Sequence, residues 1–389
     1  MENINLGNIN LGNINLGNIN LGNINLGNIN LGNINLGNII YYIFYLIIFL
    51  LLILIVGTVK IIKNKSCINC EGFNQSNPKV EFPFKNLFNQ DGEILNIILI
   101  SAPFREKKHE DLYLEYKNKG LEFMGISSYS EFPCKLSNPH DSKYHEEKNH
   151  DYVSMCKTWL HCFRNPDECL GTQIPRLLFS ESDLKDYNSH KPDTTIKIEY
   201  DFIYVCLKDN DKCEAGWQSY IRNWDLAKKC LDLMCRKYKL KGCIVGRENC
   251  EFSKMCDGIV KVIPFLKYNE FQKELQKCKF IFVPNIADAS PRVMVEAMCY
   301  DKRILVNKNI VGGWKYIQPE TGEGFTDEID IDNALETLLK NYDNYHPREY
   351  FITNYGKEKK GKELANFIKE HYQNIIPDKN KIDYCYITI

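Results

Sequence analysis

The sequence predicts an α/β fold in two units behind a single N-terminal transmembrane helix. Three observations carry that expectation. From residue 93 onward, strand-length apolar runs alternate with helix-length amphipathic stretches, the pattern of parallel sheets covered on both faces. The 389 residues hold two domains of ordinary size. Residues 39–59 are 21 consecutive uncharged, largely aliphatic residues, which as a helix reach about 31 Å, close to the bilayer core.

The elements follow in chain order. Residues 1–38 repeat GNINL with a period of five from Gly7 to Leu36. A pentapeptide solenoid would place a small residue where this repeat has Ile, so the segment reads as a low-complexity disordered tail. In the apolar stretch 39–59, Tyr41, Tyr42 and Tyr45 cluster at the first end as an interfacial belt would. One Glu and no Lys or Arg precede it, whereas Lys60, Lys63 and Lys65 follow. The positive-inside rule therefore places the C-terminal part in the cytosol, as a single-pass membrane protein. Residues 60–92 are polar and read as a stalk. The 16 cysteines are scattered and lack the spacing of a compact disulfide scaffold, which fits that side of the membrane. Cys67 and Cys70 have no second CxxC to complete a zinc site, and Cys156, His161, Cys162 and Cys169 match no finger spacing.

Residues 93–195 form the first α/β unit. EILNIILISAPF (93–104) is a buried strand, 110–120 a short helix ending at Gly120, and LEFMGISSYSEFP a second strand with a loop. MCKTWLHCF reads as a helix and IPRLLFSESDL as a strand or loop. Residues 196–389 form the second unit. Its expected strands are YDFIYVCLK (200–208), KGCIVG, KVIPF, KFIFVPN and KRILVN. Its helices are 224–238, 268–278, SPRVMVEAMCY, DNALETLLKNY and YGKEKKGKELANFIKEHY.

The segment DASPRVMVEAM (288–298) poses a chemical problem, because Glu296 interrupts an apolar helical run. Ser290 suits an N-cap and Pro291 the first helical position, so Asp288 lies just outside a helix N-terminus at the carboxyl end of a strand. Free N–H groups and the positive end of the helix dipole favour an anion such as phosphate there. A buried Glu296 needs partners. Arg292 four residues earlier is one; a pair of ligand hydroxyls, such as a ribose diol, is the other.

An acidic loop residue, seven intervening residues and a helical Glu resemble the E-x7-E element of the group 1 glycosyl transferases, a retaining family with the GT-B fold of two Rossmann-like domains facing a cleft. Asp288 replaces the first Glu. The resemblance continues through AMCYDKRILVNKNIVGGWKYIQPETGEGF and covers roughly residues 200–372, most specifically 279–325. It implies that Glu296 holds the nucleotide ribose, that Asp288 faces the transferred sugar as the catalytic acidic residue, and that Ser290 opens the diphosphate-binding turn. It also implies a cation pair on the leaving diphosphate, for which Arg222 with Lys228 or Lys229 is available.

The expected function is membrane-anchored transfer of a sugar, with retention, from a nucleotide-sugar donor to an unidentified glycan, lipid or protein acceptor. Helix N–H groups and cations stabilise the leaving diphosphate, so no cofactor and no obligatory metal is expected. The DID triplet (330–332) directly precedes a helix and reads as its N-cap. Gly312-Gly313-Trp314-Lys315 reads as a turn and His161 as a core or surface histidine rather than a group reaching an acceptor site in the cleft. A net charge of -1 gives no basic field for nucleic acid. A catalytically inactive GT-B-like binding or structural protein is the alternative. No G-x-G-x-x-G follows an early strand, which argues against a dinucleotide-dependent oxidoreductase.

Overall fold

The computed structural model describes residues 80–134, 150–375 and 382–387. The GNINL repeat, the apolar stretch 39–59 and Cys67 and Cys70 lie outside the described residues. Among the described residues, no helix is long and apolar enough to cross a membrane.

The first sheet is built on β1 (Phe84–Asn89), β2 (Ile94–Ile100), β3 (Glu122–Ile126), β4 (Thr158–His161) and β5 (Arg176–Leu178). β2 to β5 are parallel neighbours in chain order, and β1 lies antiparallel against β2. Helix α1 (Lys107–Asn118) links β2 to β3, and the short α2 (Pro166–Leu170) links β4 to β5. Strand β1 falls in the segment read as stalk. MCKTWLHCF, expected as a helix, contains β4 instead. All four residues of β4 are buried, and an apolar run that short carries no period that separates strand from helix.

The second sheet contains β6 (Tyr200–Val205), β7 (Gly242–Val245), β8 (Val260–Ile263), β9 (Cys278–Val283), β10 (Arg303–Asn307) and β11 (Gly322–Phe325), all parallel. Its order is β11-β10-β9-β6-β7-β8. Side chains alternate between two cores, as strand geometry requires. Ile203, Ile281 and Ile304 join α5 (Tyr268–Gln276), α6 (Arg292–Cys299) and α8 (Pro347–Asn354) on one face. Phe202, Phe280 and Leu305 join α4 (Trp224–Arg236) and α7 (Ile331–Lys340) on the other. The five-residue α3 (Trp217–Ile221) precedes α4. The chain does not end in this unit. Leu364 and Ile368 of α9 (Lys357–His371) pack on the first sheet, and β12 (Cys385–Ile387) pairs antiparallel with β1.

Three disulfides occur among the described residues: Cys134–Cys169, Cys213–Cys250 and Cys235–Cys256. Eight further cysteines are free and buried. Cys169 is therefore no thiolate ligand, and no three metal-ligating side chains gather among the described residues.

Candidate functional site

The strand order of the second sheet reverses between β6 and β9: from β6 the chain adds strands on one side, from β9 on the other. Open α/β sheets bind ligands in the crevice at the carboxyl ends of the two strands that flank such a reversal. A cavity of about 320 Å³ opens there, large enough for a small-molecule site. Val205, the last residue of β6, and Ile281 to Val283 of β9 form its floor. Arg222, Asn285, Asp288 and residues Ser290 to Met294, which lead into the first turn of α6, complete its walls.

Asp288 is paired with Arg222, and its Oδ2 also accepts a hydrogen bond from Asn285 at 3.0 Å. Its Oδ1 accepts the Ser290 N–H at 3.3 Å. Helix α6 begins at Arg292, with Pro291 in the cap position and no capping side chain. Ser290 therefore does not act as the expected N-cap. Its hydroxyl instead meets the Ser182 N–H at 3.0 Å and the Ser182 hydroxyl at 2.6 Å. The first N–H groups of α6 have no carbonyl one turn back to bond, so they remain available to a ligand.

Glu296 finds protein partners other than Arg292. It is 4% exposed and does not line the cavity. Its Oε1 accepts Lys185 at 2.5 Å and Tyr268 at 3.1 Å, and its Oε2 accepts Gln272 at 2.9 Å. Arg292 pairs with Glu181 instead. Burial pushes the Lys185 ammonium down, but the Glu296 charge and the hydrogen bonds from Lys185 to Glu296 and Tyr268 outweigh it and hold it above its ordinary value. Lys228 is not brought to the cavity; it pairs with Asp225 on the outer face of α4. Lys229 pairs with Glu328. Asp330 stands at the cap position of α7, but its carboxylate turns back to the Thr326 and Asp327 N–H groups, and Asp332 holds Lys237.

The Gly-Gly turn has a steric reason. A Cβ on Gly312 would lie 1.9 Å from the Ala289 carbonyl oxygen, and Gly313 has φ +86° beneath Pro291. The Gly312 N–H donates to the Asp288 carbonyl at 2.9 Å. The turn thus lies directly beneath the acidic loop. The next residue, Trp314, donates its indole N–H to the Cys162 carbonyl of the first unit at 2.7 Å.

Sequence reasoning missed the strap Ser180–Lys185 that joins the two sheets. Glu181 pairs with Lys85 of β1 and with Arg292. Asp183, fully buried, accepts Lys315 at 2.6 Å and also Tyr316. The only local signal was a Ser180/Asp183 capping-box spacing. Asp209 and Arg247 behind Arg222 were missed as well.

His161, at the carboxyl end of β4, is 6% exposed. Burial, and then the Arg176 and Lys315 charges, lower its pKa to about 4 against an opposing backbone hydrogen bond at Phe163. Its folded value lies below the unfolded one, near 6.5. The stability it contributes as a neutral ring is therefore present above pH 6.5 and lost as pH falls towards 4. Between pH 7 and 4.5, urea denaturation is expected to show a loss of about 2–3 kcal/mol in the parent protein that His161→Phe does not share.

No family model matches the chain, and no curated protein matches it. Among solved structures it is similar to TarM, with TM-score 0.50 and 12% identity over 70% of this chain and 54% of that one. It is also similar to sucrose-phosphate synthase from Thermosynechococcus elongatus, with TM-score 0.50 and 10% identity over 71% of this chain and 74% of that one. The chain thus spans about half the length of TarM. The likeness is one of fold alone: the two α/β sheets match those of these neighbours, which have the GT-B fold.

Proposed function

We propose that the protein is a glycosyltransferase that takes a sugar from a nucleotide-sugar donor, with retention, and passes it to a glycan, lipid or protein acceptor. The observation that carries this reading is the cavity at the β6/β9 reversal, set against the start of α6 with Arg222 in its wall. Cleavage of a sugar–diphosphate bond develops negative charge on the leaving phosphate. Oriented N–H groups of α6 and the guanidinium of Arg222 supply fixed positive charge at that point, and Arg292 adds to it. These groups meet the charge demand of the step without calling on a cofactor or metal.

Asp288 and Arg222 neutralise one another in the structure. A bound diphosphate competes for Arg222 and frees Asp288 for the transferred sugar. The same pairing supports the second reading, a binding protein of this fold in which the two groups never separate. A carboxylate offers about four acceptor positions. Glu296 has three in use, so a ribose contact there is limited to one hydroxyl unless Tyr268 or Lys185 gives way. Residues 39–59 would anchor the enzyme as a single membrane pass.

Calorimetric titration of the detergent-solubilised full chain with UDP and other nucleoside diphosphates tests the reading. Binding is expected, with Arg222→Met weaker by about tenfold to a hundredfold, the worth of one charge-assisted hydrogen bond. Equal affinity in Arg222→Met would refute the placement of the diphosphate. Binding without transfer or hydrolysis of any nucleotide sugar would select the second reading.

A further inference from the structure

The structure assigns Asp209 as the positioning residue for Arg222, acting through α3 and resting on the donor site proposed above. Arg222 is the residue immediately after α3. A five-residue helix cannot hold itself together, because nucleation costs more than one turn of hydrogen bonds returns. Its direction, and so the place where Arg222 enters the cavity, must come from outside.

Asp209 supplies that direction. Its Oδ1 accepts the Gln218 N–H at 2.6 Å. Its Oδ2 accepts the Ser219 N–H at 3.0 Å and the Ser219 hydroxyl at 2.6 Å. These are the orphan donors of the first turn of α3, capped from nine and ten residues upstream rather than locally. Gly216 lets the carboxylate approach, since a Cβ there would lie 2.8 Å from Asp209 Oδ1. Burial pushes the Asp209 carboxyl up, but the Ser219 hydroxyl, the Gln218 and Ser219 N–H groups and the Arg247 charge outweigh it and keep it below its ordinary value.

The brace continues behind Asp209. Arg247, with no exposed surface, donates to the Ser219 hydroxyl at 2.7 Å and stands 3.5 Å from Asp209. Its guanidinium also lies over the Trp224 ring, 4.8 Å from the centroid. Cys213–Cys250 ties the loop that carries Asp209 to the loop that carries Arg247. At the other end of α3, the Tyr204 hydroxyl donates to the Arg222 carbonyl at 3.0 Å, and Asn223 turns the chain away with φ +52°. Both ends of α3 are therefore fixed, and the side chain that emerges meets Asp288. None of Asp209, Ser219 and Arg247 lines the cavity. They act on the ligand through Arg222 alone.

A double-mutant cycle on the detergent-solubilised full chain, read by UDP affinity, tests this. Asp209→Asn turns one of the two acceptor oxygens into a donor, which in either amide orientation faces an N–H group of α3 that needs an acceptor. It is expected to weaken UDP binding by about fivefold to tenfold in the parent background and not at all in Arg222→Met. Ser219→Ala, which leaves the backbone contacts of Asp209 in place, is expected to show the same pattern with a smaller effect, and it guards against misfolding of Asp209→Asn. Equal losses in both backgrounds would mean general destabilisation and would overturn the assignment. So would a folded Asp209→Asn protein with parental affinity. If Arg222→Met itself binds UDP as the parent does, the donor site falls and the role of Asp209 falls with it. That result is distinct from the other two.

Discussion

Replacing Asp183 with alanine is expected to destabilise the protein by about 3–5 kcal/mol, the usual consequence of stranding one member of a buried ion pair. Asp183 has no exposed surface, and the Lys315 side chain it holds is 6% exposed. Without the carboxylate, the ammonium stays in a low-dielectric setting with no counter-charge. Tyr316 loses its acceptor at the same moment, and burial together with Asp183 already holds its hydroxyl well above the ordinary titration range. Water does not readily restore these bonds, because the strap is buried from Glu181 to Leu184. The cost belongs to the unpaired partner rather than to the pair. Asp183→Ala combined with Lys315→Met is therefore expected to regain most of the loss. Equilibrium urea denaturation of the two variants decides it. A loss below about 1 kcal/mol in the single variant would show that the strap is not the link between the sheets.

The strap also marks the boundary of what the sequence makes legible. Most of the second unit reads well because its longer strands and helices carry their own periods, whereas α3, β11 and α8 were not legible. Phe202 and Ile203, for example, face opposite cores as a buried parallel strand requires. The start of α6 was legible to within two residues from Ser290 and Pro291. Partners were not. Glu296 draws its charge partner from Lys185, 111 residues away, and Asp288 draws Arg222 from 66 residues away. Neither spacing follows from a local period, so the sequence offered Glu296 only Arg292, one turn back, or a ligand diol. The return of β12 to β1 was illegible for the same reason. A three-residue strand has no period, and its pairing of Ile387 with Leu87 spans nearly the whole described chain. Arg222 was reachable from sequence only through a resemblance whose spacing it does not match; its placement depends on α3 and the groups that hold α3.

Reduction of Cys134–Cys169, Cys213–Cys250 and Cys235–Cys256 is expected to leave the two-sheet domain unable to fold. The bonds close loops with sequence separations of 35, 37 and 21. Constraint of the unfolded chain contributes about 3–4 kcal/mol for each loop of that size. The sum, about 10 kcal/mol, is comparable with the whole stability margin of a typical domain, about 5–15 kcal/mol. A protein that depends on such bonds must fold where thiols are oxidised, which a cytosol does not provide. The positive-inside rule points to the opposite side, but on only three lysines, Lys60, Lys63 and Lys65. On the strength of the three disulfides we propose the other orientation, in which the domain faces an oxidising compartment and the GNINL tail lies on the cytosolic side. Peptide mapping by mass spectrometry after alkylation under non-reducing conditions should recover the three linked pairs. On sealed vesicles, protease should spare the domain and remove the tail. Sixteen alkylatable thiols, together with a domain open to protease, would return it to the cytosol.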